Sequence, residues 1–85
     1  MRLLWARVVC YLTVTMLQRL GKRVQTLRDQ RKMTQEGLAA KAGLSRGYLA
    51  RLETGRHDPS ATTLAKIALA LRVPISSLFK ERRGG

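Results

Sequence analysis

This 85-residue sequence has few of the residues that staple, ligate or catalyse. A single cysteine, Cys10, cannot close an intramolecular disulfide, which excludes a small disulfide-stapled scaffold. The single histidine, His57, lies in "RHDPS" with no Cys/His cluster around it, which excludes a zinc finger and leaves no metal site. His57 reads as a surface loop residue rather than a ligand or a base. There is no Ser/His/Asp set, metal cluster or phosphate loop, so neither catalytic residues nor a cofactor are expected. Long apolar runs are also missing. Val8 to Leu17 is about half of the ~20 apolar residues that a membrane-spanning helix needs. Arg7 interrupts the apolar start and no small-residue cleavage pattern follows, which argues against a signal peptide. Acid is scarce: 5 Asp and Glu stand against 17 Lys and Arg, a formal net charge of +12.

That imbalance makes a polyanion the expected partner. Nucleic acid is the first candidate and an anionic membrane surface the second. The length suits one small domain with a modest core.

The chain divides unevenly. Residues 1–16, "MRLLWARVVCYLTVTM", form an N-terminal extension unlike the rest, and "VVCYLTV" within it has a strand-like composition. Met16 stands directly before the domain-like pattern. Residues 1–15 therefore read either as sequence upstream of a later start, or as an added strand or helix that pairs two chains. From Leu17 the pattern is helical. Leu20, Val24 and Leu27 recur at i, i+4 and i+7 and give one apolar face. Met33 closes that segment, and Thr34 suits the N-cap of a second helix, "QEGLAAKA". Gly43 suits its end. Ser45 caps a third helix over residues 45–53, which Gly55 ends. After the loop, Ser60 caps a fourth helix whose core face is Leu64, Ile67, Ala68 and Leu71. Pro74 opens a short fifth helix, "ISSLF". The basic tail, residues 80–85, is expected to fray.

The centre of the pattern is a pair of short helices with almost nothing between them. Ala39 is small where the next helix crosses close, and Gly43 lets the chain reverse in a short turn. Leu49 and Leu52 fix the third helix to the core. Arg46, Gly47, Ala50 and Arg51 are then left outward, with Tyr48 at the edge. A helix held by one face and projecting by the other fits a DNA major groove.

Residues 17–79 resemble the helix-turn-helix family of phage repressors and Cro proteins, the xenobiotic-response-element family. The resemblance is carried by "TQEGLAAKAGLSRGYLARLETGRHDPSATTLAKIALAL". It implies an all-α, compact five-helix domain of lambda-repressor-like fold that binds double-stranded DNA and regulates transcription. It also implies a homodimer on an inverted repeat, in a prokaryotic or phage-derived cytoplasmic setting. Gln35 resembles the family glutamine that touches the DNA backbone and braces the reading helix. By the same resemblance Ser45, which caps that helix, is placed to meet a phosphate. Arg46 and Arg51 stand where family members contact base edges, and Arg56 resembles a phosphate contact. Tyr48 either touches DNA or packs. Arg28 and Glu53 resemble a structural ion pair.

Two positions depart from the family. Gly37 replaces the glutamate that would complete a capping box with Thr34, which suggests a weaker second helix. Gly47 occupies a base-reading position without a side chain. Lys22, Arg23, Arg31 and Lys32 are expected to be solvated. The expected dimer surface is Ile75, Leu78 and Phe79, or the N-terminal extension. An antitoxin-like protein-interaction module with secondary DNA binding is the alternative reading.

Overall fold

The computed structural model describes residues 2–79, with side chains from Ala6 onward. The expected fraying of residues 80–85 lies outside the described residues. Four α-helices follow one another: α1 (Arg2–Gln30), α2 (Gln35–Ala42), α3 (Arg46–Glu53) and α4 (Ala61–Leu71). The fifth segment, Ile75–Phe79, is a 3₁₀ turn and not an α-helix. Five residues after a proline give too few backbone bonds for an α-helix, and the tighter turn is the usual form at this length.

The caps follow the sequence closely. Thr34, Ser45 and Ser60 each accept a hydrogen bond at the side-chain oxygen, from the backbone N–H of Gly37, Tyr48 and Thr63 respectively. The cap on α2 is thus made at 2.9 Å despite Gly37. Each helix ends in the same way, with a left-handed residue and paired back-bonds to the last turn. Gly43 (φ 70°) and Gly55 (φ 78°) take that conformation after α2 and α3. After α1 and α4 it falls on Lys32 (φ 55°) and Arg72 (φ 59°), where an L side chain is strained. The paired bonds are still made there: Met33 N–H to Arg28 O, and Val73 N–H to Ala68 O, both at 3.0 Å.

The core joins Leu20, Val24 and Leu27 of α1 to Leu38, Leu49, Leu52, Ile67, Leu71 and Leu78, with Ala39, Ala42 and Ala68 at close crossings. α1 lies against α3, and α4 against α2. Leu78 is 1% exposed and completes this core, so it is not available as a dimer surface. The 3₁₀ turn folds back onto both α1 and α4, which carries Leu78 inward. Two arginines expected in solvent secure that closure. Arg23 Nε donates to Ser77 O at 2.8 Å, and Arg31 Nε donates to Leu71 O, at the end of α4.

The extension is helix, continuous with α1, rather than strand. Among the described residues no partner strand exists, whereas a helix satisfies its own backbone. Thr13 and Thr15 turn their hydroxyls back to Val9 O and Tyr11 O, both at 2.9 Å, and so fit the helix despite their β preference. No described helix is long and apolar enough to cross a membrane.

Candidate nucleic-acid interface

α2 and α3 are joined by Gly43, Leu44 and Ser45 alone. Such a turn fixes the two helices at a steep angle. α3 buries Leu49, Leu52 and Glu53 and leaves Arg46, Gly47 and Arg51 exposed. Ala50 and Tyr48 are half-buried, so the outward face is narrower than the helical spacing suggested.

The end of α3 is locked by a carboxylate in the protein interior. Glu53 has a side chain only 4% exposed. Its Oε2 accepts from Arg28 Nε at 2.8 Å, and its Oε1 accepts from Arg28 Nη2 at 3.2 Å. The pair is thus bidentate, the strongest form of this contact. Gln35 Nε2 adds a third bond, to Oε1, at 3.1 Å. Arg28 Nη1 donates to Met33 O at 2.8 Å. The hydrogen bond to Glu53 holds the Arg28 guanidinium above its usual range; burial opposes this, and the Glu53 and Asp29 charges add to it. Gln35 is half-buried at the first position of α2 and spans to the end of α3. Gln35 thus ties the first turn of α2 to the end of α3.

Close backbone approach secures the same end. A Cβ on Gly21 would lie 2.4 Å from Leu52 O and 2.6 Å from Glu53 O. A Cβ on Gly55 would lie 2.8 Å from Gln18 Cγ. Only glycines let α1 and the last turn of α3 come this near.

The remaining site residues lie along α3 and the loop after it. Ser45 is exposed and its Oγ is occupied by the Tyr48 N–H at 3.0 Å. Arg46 is exposed and lines a shallow groove with Arg28, Thr34, Gln35 and Glu36. Arg56 is exposed beside Gly55. Arg51 is exposed, and its Nε donates to His57 Nε2 at 2.9 Å. Tyr48 packs against the core and stacks on His57, with ring centroids 4.5 Å apart and planes 17° from parallel. Its packing role is thus real in the free protein.

Sequence reasoning missed two features here. His57 is half-buried against α3 rather than a plain loop residue. Gly21 carries a helix crossing. Neither had a periodic signal; only the proximity of "YLAR" to "RHDP" hinted at the first.

The Helix-turn-helix family model (HTH_3) matches residues 24–78, which include Arg28, Gln35, Tyr48, Arg51, Glu53 and His57 but not Gln18 or Gly21. The chain belongs to the Helix-turn-helix family. Within that family it is similar to the immunity repressor protein of Bacillus phage phi105. The two are 46% identical over 61 residues, spanning 72% of this chain and 42% of the relative. It is also 33% identical over 64 residues to the HTH-type transcriptional repressor RghR of Bacillus subtilis, spanning 74% of this chain and 47% of that protein. This chain thus spans less than half the length of either relative. Among solved structures it is similar to the restriction-modification controller protein C.AhdI from Aeromonas hydrophila. The TM-score is 0.73 at 35% identity, over 74% of this chain and 96% of that one.

Proposed function

We propose that this helix-turn-helix chain is a sequence-specific, non-enzymatic DNA-binding regulator of transcription. Residues 17–79 form its DNA-binding domain and α3 enters the major groove. The observation that carries this reading is the two-sided build of α3. Leu49, Leu52 and the Glu53 network hold one face, while Arg46 and Arg51 are exposed on the other. The phage repressor and the controller-protein likenesses support it, as does the net charge of +12. Arg46 and Arg51 read base edges. Gln35, Ser45 and Arg56 meet phosphates, and the backbone at Gly47 approaches the groove closely. The protein works in a prokaryotic cytoplasm, nucleoid-associated or phage-encoded.

Two copies act together on an inverted repeat, with reading helices roughly 34 Å apart. The apolar half of α1 supports pairing. Val8, Val9, Tyr11, Leu12, Val14 and Met16 are each 44–72% exposed, and no charge falls between Val8 and Leu17. In a chain this basic, that is where self-association meets least repulsion. Ile75 and Phe79 are exposed too, and Phe79 shares a groove with Met16.

Selection of binding sites from random duplexes, with a parallel solution-mass measurement, tests the reading. An enriched inverted repeat and a dimeric mass are expected. Absence of any enriched sequence refutes DNA reading. Leu12→Glu is expected to give monomers; Phe79→Glu giving monomers in its place moves the interface to the 3₁₀ turn.

A further inference from the structure

We propose that His57 is a positioning residue for Arg51: it aims the arginine's outer amino groups across the open space over Gly47 toward a base edge. The inference rests on the DNA-reading function proposed above.

The support runs outward from the core in three steps. Tyr48 packs on the core. His57 lies flat on Tyr48, with 4.5 Å between ring centroids. His57 Nε2 then accepts from Arg51 Nε at 2.9 Å. An imidazole that accepts at Nε2 carries its proton on Nδ1. Occupying Nε leaves Nη1 and Nη2, whose paired outer N–H groups form the fork that matches guanine O6 and N7 together. An unsupported arginine presents that fork in one of many rotamers; this one is tethered at the base of its guanidinium.

Gly47 completes the arrangement. Helical side chains lean toward the N terminus and lie over the preceding turn. Gly47 is four residues before Arg51, and a Cβ built on it would lie 3.9 Å from Arg51 Nη1. An alanine would only touch the guanidinium, and a longer side chain would occupy its place. The missing side chain at this outward position is therefore the floor of Arg51's site.

The test uses the full chain, its selected operator, and every single-base variant of that operator. His57→Phe keeps a ring against Tyr48 and removes the acceptor. His57→Gln restores an acceptor without the ring. Both are measured alone and with Arg51→Ala. Arg51→Ala is expected to flatten discrimination at one base pair by about 5- to 150-fold. His57→Phe is expected to reduce discrimination at that same base pair by about 2- to 13-fold, the range of one hydrogen bond. It should leave affinity for unrelated DNA unchanged, do nothing further in the Arg51→Ala background, and be largely rescued in His57→Gln. Gly47→Gln should lose discrimination at the same base pair while unfolding at or above the wild-type temperature, since α3 loses a helix-weakening glycine. Equal loss on every sequence, or the same loss without Arg51, overturns the positioning role. A wild-type protein that prefers no sequence overturns the DNA reading itself, and the inference with it. A sequence preference that His57→Phe leaves intact overturns the inference alone.

Discussion

Replacing Glu53 by alanine removes one carboxylate from three donors: Arg28 Nε at 2.8 Å, Arg28 Nη2 at 3.2 Å and Gln35 Nε2 at 3.1 Å. The Arg28 side chain is only 12% exposed, so its charge has little water to turn to. Breaking a buried pair from one side costs about 3–5 kcal/mol, mostly the cost of the stranded charge. Arg28 keeps its bond to Met33 O, and Asp29 lies 3.5 Å away, though that carboxylate is 63% exposed. The lower end is therefore expected, about 3 kcal/mol. In a domain of this size that lowers the unfolding midpoint by roughly 12–24 °C. Thermal unfolding followed by circular dichroism measures it. The companion Arg28→Met/Glu53→Leu removes both charges, and is expected to unfold within about 1 kcal/mol of the parent, or above it. A Glu53→Ala protein that melts within about 4 °C of the parent, equivalent to less than 1 kcal/mol, refutes the reasoning. On the arginine side the pair adds no acid sensitivity. A cation whose folded pKa is raised contributes fully at every pH below its unfolded value, and the contribution is lost only as pH climbs through the folded one.

Further outcomes follow from the same contacts. Gly21→Ala drives a Cβ into the Leu52 and Glu53 carbonyls, with backbone on both sides. A net loss of about 2 kcal/mol is expected by denaturant titration, overpacking less the helix gain of alanine. Arg72→Gly relieves a left-handed arginine at φ 59°. It should stabilise by about 0.5–1 kcal/mol, the αL penalty less the added chain entropy of glycine, seen as a raised melting temperature. Arg56→Ala should weaken binding to every duplex alike and lower the salt slope by about 0.9. Arg46→Ala should instead cost about 1–3 kcal/mol at one base pair, measured by competition with operator variants.

What could be read from the residues was whatever has a local signature. Thr34, Ser45 and Ser60 announce caps by type and place, and all three cap. Gly43 and Gly55 announce left-handed turns, and both take them. The same turn at Lys32 and Arg72 was illegible, because tertiary packing imposes it against local preference. Leu78 looked like exposed apolar surface because nothing local shows that the 3₁₀ turn folds back. The bonds of Arg23 and Arg31 were illegible for the same reason, since their acceptors are carbonyls 54 and 40 residues away, although Arg31 stays exposed as expected. Arg28 and Glu53 were legible only through family resemblance, since a separation of 25 residues carries no period. The link from Arg51 to His57 crosses a helix end into a loop, where neither helical nor strand periodicity applies.

α3 is a poor helix on its own terms. It has 8 residues and a glycine in its first turn. An isolated helix that short does not form in water, and the glycine adds about 1 kcal/mol against it. Its existence and its direction are therefore supplied from outside. The start is set by the turn from α2 through Ser45. The end is set by α1, through Gly21 against its last carbonyls, Gln18 under Gly55, and Arg28 on Glu53. The direction in which Arg46 and Arg51 are presented is thus decided largely by residues 18–28. Those residues sit at the base of the same helix that carries the apolar extension. One continuous helix then joins the surface proposed to pair two copies to the helix proposed to read DNA. In the dimer proposed above, the spacing of the two reading helices would then be set by how the α1 helices meet.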